Sequence, residues 1–267
     1  MGKSVTRAAQ ILELISLSSD GLTHTEVAET LSIPKSSLSA LLGNLVALEY
    51  LSLDPISKRY TLGPHILVLA GRYLDNLDLA RIAQPFIEQL SIKTGESASF
   101  NIMSGPDILV VAKKNFPHPL RRSLQIGERA PIYATASGKA ILAYRSDEEI
   151  EEYLSSVDLY PITKKTINDP EALRRQLKEI RAGGLGYCRE EVHEDTTAIA
   201  APIFDRNGES VAAINVIVPI IRLDAAKERL AEQALREESA ALSRQLGFEG
   251  KPKNSSAKQS QTFDSAA

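Results

Sequence analysis

The chain has 267 residues, of which 43% are hydrophobic and 24% charged, and a net charge of −3. That length suits two domains, one small and one of ordinary size, and the composition is that of a soluble globular protein. No apolar run reaches the roughly 18 residues of a membrane-spanning helix, and MGKSVTRAAQILELI lacks the apolar core and cleavage site of a signal peptide. The single cysteine, Cys188, excludes an internal disulfide and suits a reducing cytoplasm. With a slightly negative total, any contact with nucleic acid must come from a local patch.

The first predicted helix runs from Ser4 to about Leu17, with Val5, Ala8, Ile11, Leu12 and Ile15 on one stripe. Ser18-Ser19-Asp20-Gly21 ends it. Thr23 is a good N-cap for a second helix, and Glu26 completes a capping box. Val27, Ala28 and Leu31 supply that helix's buried face. A short Ser-Ile-Pro turn follows, with Pro34 suited to the first turn of a third helix. Leu38, Leu41, Leu42, Leu45 and Leu48 line its inner side. Two short strands, Tyr50–Leu53 and Arg59–Leu62, flank the turn Asp54-Pro55-Ile56-Ser57-Lys58.

That order is the order of a winged helix-turn-helix, and it makes DNA binding the first functional expectation. The third helix presents Lys35, Ser36, Ser37, Ser39 and Asn44, small or polar residues suited to approaching base edges and phosphates. Thr25 opens the second helix. Lys58 and Arg59 put positive charge on the wing, beside the phosphate backbone. A three-helix packing module without DNA is the bland alternative. Charge keeps it open: residues 1–64 hold five cations (Lys3, Arg7, Lys35, Lys58, Arg59) against six acids. One such module binds DNA weakly.

Gly63-Pro64 closes the wing, and His65–Leu79 reads as a helix more apolar than a lone linker requires. Either a second subunit or the chain's own core covers it. A helix over Ala80–Thr94 precedes a hairpin, Ser97–Met103 and Ile108–Lys114, turned at Ser104-Gly105-Pro106-Asp107. Helices follow at about Ala136–Tyr144, Asp147–Leu154 and from Asp169-Pro170 to the stop at Gly183-Gly184. Ala198–Phe204 and Ser210–Val218 flank the turn Asp205–Glu209, and Leu223–Leu246 makes a long final helix. Interleaved this way, the elements predict an α+β domain with a six-stranded, mostly antiparallel sheet. Residues 251–267 are polar, rich in Ser and Gln, and read as a disordered tail.

Two chemical readings are weighed on this second part. Ala134-Thr135-Ala136-Ser137-Gly138-Lys139 has Tyr133 and Ala140 where a phosphate-binding P-loop needs Gly and Ser or Thr, so it is not one. A capped helix N-terminus remains, which is either plain structure or a seat for a carboxylate. Glu190, Glu191, His193, Glu194 and Asp195 cluster beside Cys188. The histidines lack zinc spacing, and no orienting third residue supports a Cys188–His193 nucleophile, so a solvated acidic loop is expected rather than an enzyme. No metal or cofactor is expected.

The segments RAAQILELI, GLTHTEVAETLSIPKSSLSALLGNLVALEYL, RYTLG, GERAPIYATASGKAILAY, GLGYCREEV and TAIAAPIFDRNGESVAAINVIVP occur in an order that resembles the IclR family of bacterial transcription regulators, over residues 4–247. The resemblance implies a DNA-binding domain at 1–64, a linker helix at 65–79 and a GAF-like effector-binding domain at 80–250. It also implies a site at Ala136, Ser137, Arg189, Ala198, Asn215 and Ile217, with Tyr133, Leu124, Ile126 and Met103 as added wall. Relatives that hold Cys at 198 and Ser at 215 and 217 contrast with Ala, Asn and Ile here, so the pocket is expected to suit a larger organic acid, aromatic ones included. The carboxylate is expected at Ser137. The implied partners are double-stranded operator DNA, that acid, and a second copy of the chain as a homodimer or dimer of dimers. Ala40 stands where the family commonly carries Arg in the recognition helix, which keeps a sensor without DNA binding as the alternative.

Overall fold

Three- and four-residue spacing of apolar side chains builds the first helix. α1 (Lys3–Ser16) buries Ile11 and Ile15 against Val27 and Ala28 of α2 (His24–Leu31) and Leu38, Leu42 and Leu45 of α3 (Lys35–Ala47). The computed structural model describes residues 3–75, 78–117, 125–250 and 252–253. α2 starts on the expected capping box: the Thr23 hydroxyl accepts from the Glu26 amide, and the Glu26 carboxylate accepts from the Thr23 amide at 2.7 Å. Those Thr23 bonds hold the Glu26 carboxyl below the usual range. Ser32 ends α2 in the left-handed region (φ 51°), where its N–H reaches the carbonyls of Ala28 and Glu29.

Two strands of the wing match expectation, β2 (Leu51–Leu53) and β3 (Arg59–Leu62), and a third, β1 (Leu22–Thr23), was not anticipated. The sheet order is β1-β3-β2, with Leu22 opposite Tyr60. A two-residue strand leaves no periodicity to read. The Asp54 carboxylate closes the wing turn by accepting from the Ile56 and Ser57 amides at 2.7 and 2.8 Å, which lowers its pKa. α4 (Pro64–Asp75) follows. The chain then divides into two compact units between Asp78 and Leu79. Leu77, near the end of the expected linker helix, lies outside the described residues.

The second unit comprises α5 (Asp78–Thr94), β4 (Ser97–Ser104), β5 (Asp107–Lys114), β6 (Arg129–Pro131), α6 (Ala136–Leu142), α7 (Asp147–Ser156), α8 (Pro170–Gly183), β7 (Gly186–Arg189), β8 (Thr196–Phe204), β9 (Ser210–Pro219) and α9 (Ala225–Gln245). Its six strands pair antiparallel throughout, in the order β6-β5-β4-β9-β8-β7. α6 lies on one face, where Ala136, Ala140 and Ile141 meet Cys188, Ala200 and Ala213. α9 packs on β8 and β9, and Tyr187 of β7 donates to Glu232 of α9 at 2.6 Å. Strand side chains alternate between faces, so Cys188 faces α6 while Tyr187 and Arg189 face away from it. α7 and α8 close a second apolar cluster over Tyr133, Ile150, Leu173 and Leu177.

Two residues of the expected tail are described. The Lys253 amide donates to Gly208 at 2.9 Å and its ammonium pairs with Glu209. Residues 251 and 254–267 lie outside the described residues.

Candidate functional site

The first unit's exposed polar face is carried by α2 and α3. Thr25, Lys35, Ser36, Ser37, Ser39 and Asn44 are all exposed, as is Ala40. Leu38, Leu42 and Leu45 anchor the opposite side of α3, which turns those residues outward. Ser39 is already engaged: its hydroxyl donates to the Lys35 carbonyl at 2.9 Å and lies 3.0 Å from His24 Nε2. Lys58 is exposed at the wing turn. Arg59 is half-buried. Its guanidinium donates to the Gly21 carbonyl at 2.7 Å and pairs with Glu26 at 3.3 Å. Arg59 lies opposite Thr23, beside the start of α2, so this contact ties the wing to the helix.

On the second unit, one face of the sheet forms the floor of a cavity of about 70 Å³, several times the ~15 Å³ that one water needs. All six strands contribute: Ala130 of β6, Ile108 and Val110 of β5, Ser99 and Asn101 of β4, Asn215 and Ile217 of β9, Ala198 of β8 and Cys188 of β7. Cross-strand pairing sets them side by side, with Ser99 opposite Asn215, Ala198 opposite Ile217 and Cys188 opposite Ala198. Thr135, Ala136 and Ser137 close it from the start of α6, Val192 and His193 from the loop entering β8, Thr196 from the first position of β8, and Glu128 from just before β6. No lysine or arginine is among the described lining residues. One carboxylate, Glu128, lines it, so anion recognition here would rest on hydroxyl, amide and imidazole groups set apart from that acid.

Of the residues assigned by resemblance, Ala136, Ser137, Ala198, Asn215 and Ile217 come together at this cavity. Arg189 does not. It faces away from the cavity, pairs with Glu228 and lies over the Tyr187 ring at 4.9 Å. Strand alternation alone puts it on the wrong side of β7. Tyr133 is also absent from the lining; its hydroxyl donates to the Tyr160 carbonyl at 2.8 Å, and burial pushes its pKa up to about 12. Met103 packs between two apolar clusters beside the cavity, and Ile126 is half exposed away from it. Leu124 lies outside the described residues.

Ser99 and Asn101 were missed by sequence reasoning. The segment SASFN looks like a strand with a wet face, but both faces are covered and the polar side is the cavity floor. Glu191 corrects another expectation. The loop after Cys188 is not simply solvated: Glu191 is buried and pairs with the buried Lys139 at 2.6 Å. Burial pushes the Cys188 thiol up, with Lys139 opposing and Glu191 adding to the shift. A thiol held protonated is a poor nucleophile.

A three-helix unit with a wing and a small-residue outer face, followed by an antiparallel-sheet domain around a polar-floored cavity, defines a DNA-binding regulator with a sensory domain. Residues 4–55 match the IclR helix-turn-helix domain, and residues 71–244 match the bacterial transcriptional regulator IclR C-terminal domain. The chain belongs to the IclR family of bacterial transcriptional regulators, whose members are regulators and not enzymes. The transcriptional regulator KdgR of Escherichia coli is 32% identical over 230 residues, covering 85% of this chain and 87% of KdgR. A transcriptional regulator from Rhodococcus sp. RHA1 superposes with a TM-score of 0.81 at 29% identity, over 92% of this chain and 98% of that one. An IclR homologue from Microbacterium hydrocarbonoxydans, solved with 4-hydroxybenzoate, gives a TM-score of 0.79 at 24% identity, over 91% and 99% of the two chains.

Proposed function

We propose that this regulator binds operator DNA as a homodimer in the cytoplasm and that an organic acid in the second-unit cavity changes that binding. The observation carrying the reading is the cavity itself, where polar Ser99, Asn101, Ser137 and Asn215 sit beside apolar Ile108, Val110, Ala198 and Ile217. Such a division suits a ligand with a polar end and an apolar body. An apolar cavity of about 150 Å³ accommodates benzene, so an aromatic acid would have to push the wall outward. That coupling of occupancy to shape is what a regulator needs, because a ligand shifts a conformational equilibrium only through differential affinity.

Dimerisation is supported by α4, where Leu67, Val68 and Leu69 are 76, 43 and 41% exposed, and by the negative total of residues 1–64. A pair of modules doubles the phosphate contacts and meets successive major-groove turns. Among the described residues no helix is long and apolar enough to cross a membrane.

Gel-shift titration with the DNA flanking the chain's own gene tests the reading. A sequence-specific shift at low salt, altered by benzoate or 4-hydroxybenzoate more than by glyoxylate, is expected. Lys35→Ala and Lys58→Ala should each weaken it and lower the salt slope by about 1 per subunit. A chain that binds acid but gives no specific shift with or without it would instead be a sensor that has lost its operator, a reading favoured by Ala40. Tighter binding of short acids would overturn the aromatic preference.

A further inference from the structure

The cavity's polar side chains are ordered by a proton count. Ser99 and Asn101, two residues apart on β4, share a face, and Ser99 lies directly across from Asn215. Asn101 Nδ2 donates to Ser99 Oγ at 3.1 Å and to Ser137 Oγ at 3.0 Å, which uses both amide hydrogens. Ser99 has one proton and two carbonyl oxygens in reach, Asn215 Oδ1 at 2.5 Å and Asn101 Oδ1 at 3.2 Å. The shorter contact takes the proton. Ser99, Asn101 and Ser137 are at most 1% exposed and Asn215 is 8% exposed, so water competes little for these bonds.

Both ends of this chain are therefore set as donors. Ser137 already accepts from Asn101 and keeps its own proton; Asn215 has its oxygen occupied and keeps its amide hydrogens. No other group among the described residues takes either, and both residues line the cavity. We infer that Ser99 and Asn101 are positioning residues that fix the Ser137 hydroxyl and the Asn215 carboxamide as donors toward the cavity, so that it selects a carboxylate over the isosteric amide without using a cation. A carboxylate only accepts, whereas a primary amide of the same shape sets an NH2 against one of the two donors. The inference rests on the organic-acid reading above.

Calorimetric titration of the full chain with benzoate against benzamide, and lactate against lactamide, tests it. Wild type should prefer the acid by about tenfold or more, the size expected for a hydrogen bond to a charged group. Ser99→Ala frees the Asn215 carboxamide to turn its oxygen inward, and should bring the acid-to-amide ratio close to one while amide binding stays. Ser99→Thr, which restores the hydroxyl, should recover the ratio. Should Ser99→Ala not fold, Asn101→Ala releases the Ser137 proton from its fixed direction and should lower the same ratio. Equal losses for acid and amide in these variants, or an unchanged ratio, would overturn the positioning role. Wild type that binds acids and amides alike overturns this inference alone; wild type that takes none of the acids overturns the organic-acid reading beneath it.

Discussion

Lys139→Met is expected to destabilise the second unit by about 3–5 kcal/mol, because it strands a buried carboxylate. Lys139 is 0% exposed and Glu191 4%, and the ammonium lies 2.6 Å from the carboxylate. The second Glu191 oxygen has no hydrogen-bond partner among the described residues, so the lysine is what compensates that charge. The pair also shapes the cavity. Val192 and His193 follow Glu191 directly and form part of the wall, while Thr166 donates to the Glu191 carbonyl at 2.6 Å from the far side. Removing the ammonium leaves this part of the loop tied only at its neighbours, by Thr166 on the Glu191 carbonyl and by Thr163 and Lys165 on Glu190, so acid affinity should fall with stability. The double variant Lys139→Met/Glu191→Leu should recover most of the loss, since replacing both charges with apolar groups removes the desolvation cost as well as the attraction. Urea denaturation of the two variants checks this, with benzoate titration alongside. A single variant within about 1 kcal/mol of wild type would mean the carboxylate finds another partner or protonates at little cost.

The fate of this pair shows where sequence reading stops. Lys139 and Glu191 are 52 residues apart, and neither carries a local signal of burial; Lys139 looked like part of a failed P-loop and Glu191 like one acid among several. What was legible was local. The Thr23–Glu26 box, the wing turn at Asp54 and the stop at Gly184 each follow from bonds within five residues, and each appears where the pattern put it. The β8–β9 hairpin was equally plain from its turn residues. Short strands were not: β1 has two residues and β7 four, too few for alternation to register. The misplacement of Arg189 follows from that. Once β7 is seen, Cys188 and Arg189 must face opposite ways, and only Cys188 can line the cavity. The contact of Arg59 with Glu26 was illegible for a similar reason, because the register that sets it is made by β1.

Ser99 and Asn101 illustrate a different limit. Alternation in SASFN identifies two faces correctly but cannot say that the polar one is covered, since the cover is α6, thirty-odd residues later in the chain. A polar face on an interior strand of a two-sided sheet is itself a functional signal. Ala198 and Ile217, with Ile108 and Val110, make only part of the cavity apolar. The floor under Ser137 is made of hydrogen-bonding groups, which is why discrimination between acid and amide, and not ring size alone, becomes the informative measurement.

Gly138→Ala should cost the second unit about 3 kcal/mol or more, combining overpacking with a lost helix cap. An added Cβ would stand 2.4 Å from the Ile132 carbonyl oxygen, 2.5 Å from the Ile132 Cα and 2.6 Å from Thr135 Oγ1. Two of these are backbone atoms of the turn that leads into α6, so neither can swing aside as the end of a flexible side chain would. The third is the cap: Thr135 Oγ1 accepts from the Gly138 amide at 3.1 Å. Relief of the clash has to lift α6 off the turn at Ile132, and α6 carries Ala136 and Ser137 on the cavity wall. Stability and acid binding should therefore fall together. Thr135→Ala separates the contributions, because it removes the cap without the clash and should cost only about 1 kcal/mol. Urea melts followed by tyrosine near-ultraviolet circular dichroism read the stability, and calorimetry reads the binding. If Gly138→Ala were no more destabilising than Thr135→Ala, the close approach at Ile132 would be slack, and the glycine would owe its place to something other than the packing of α6.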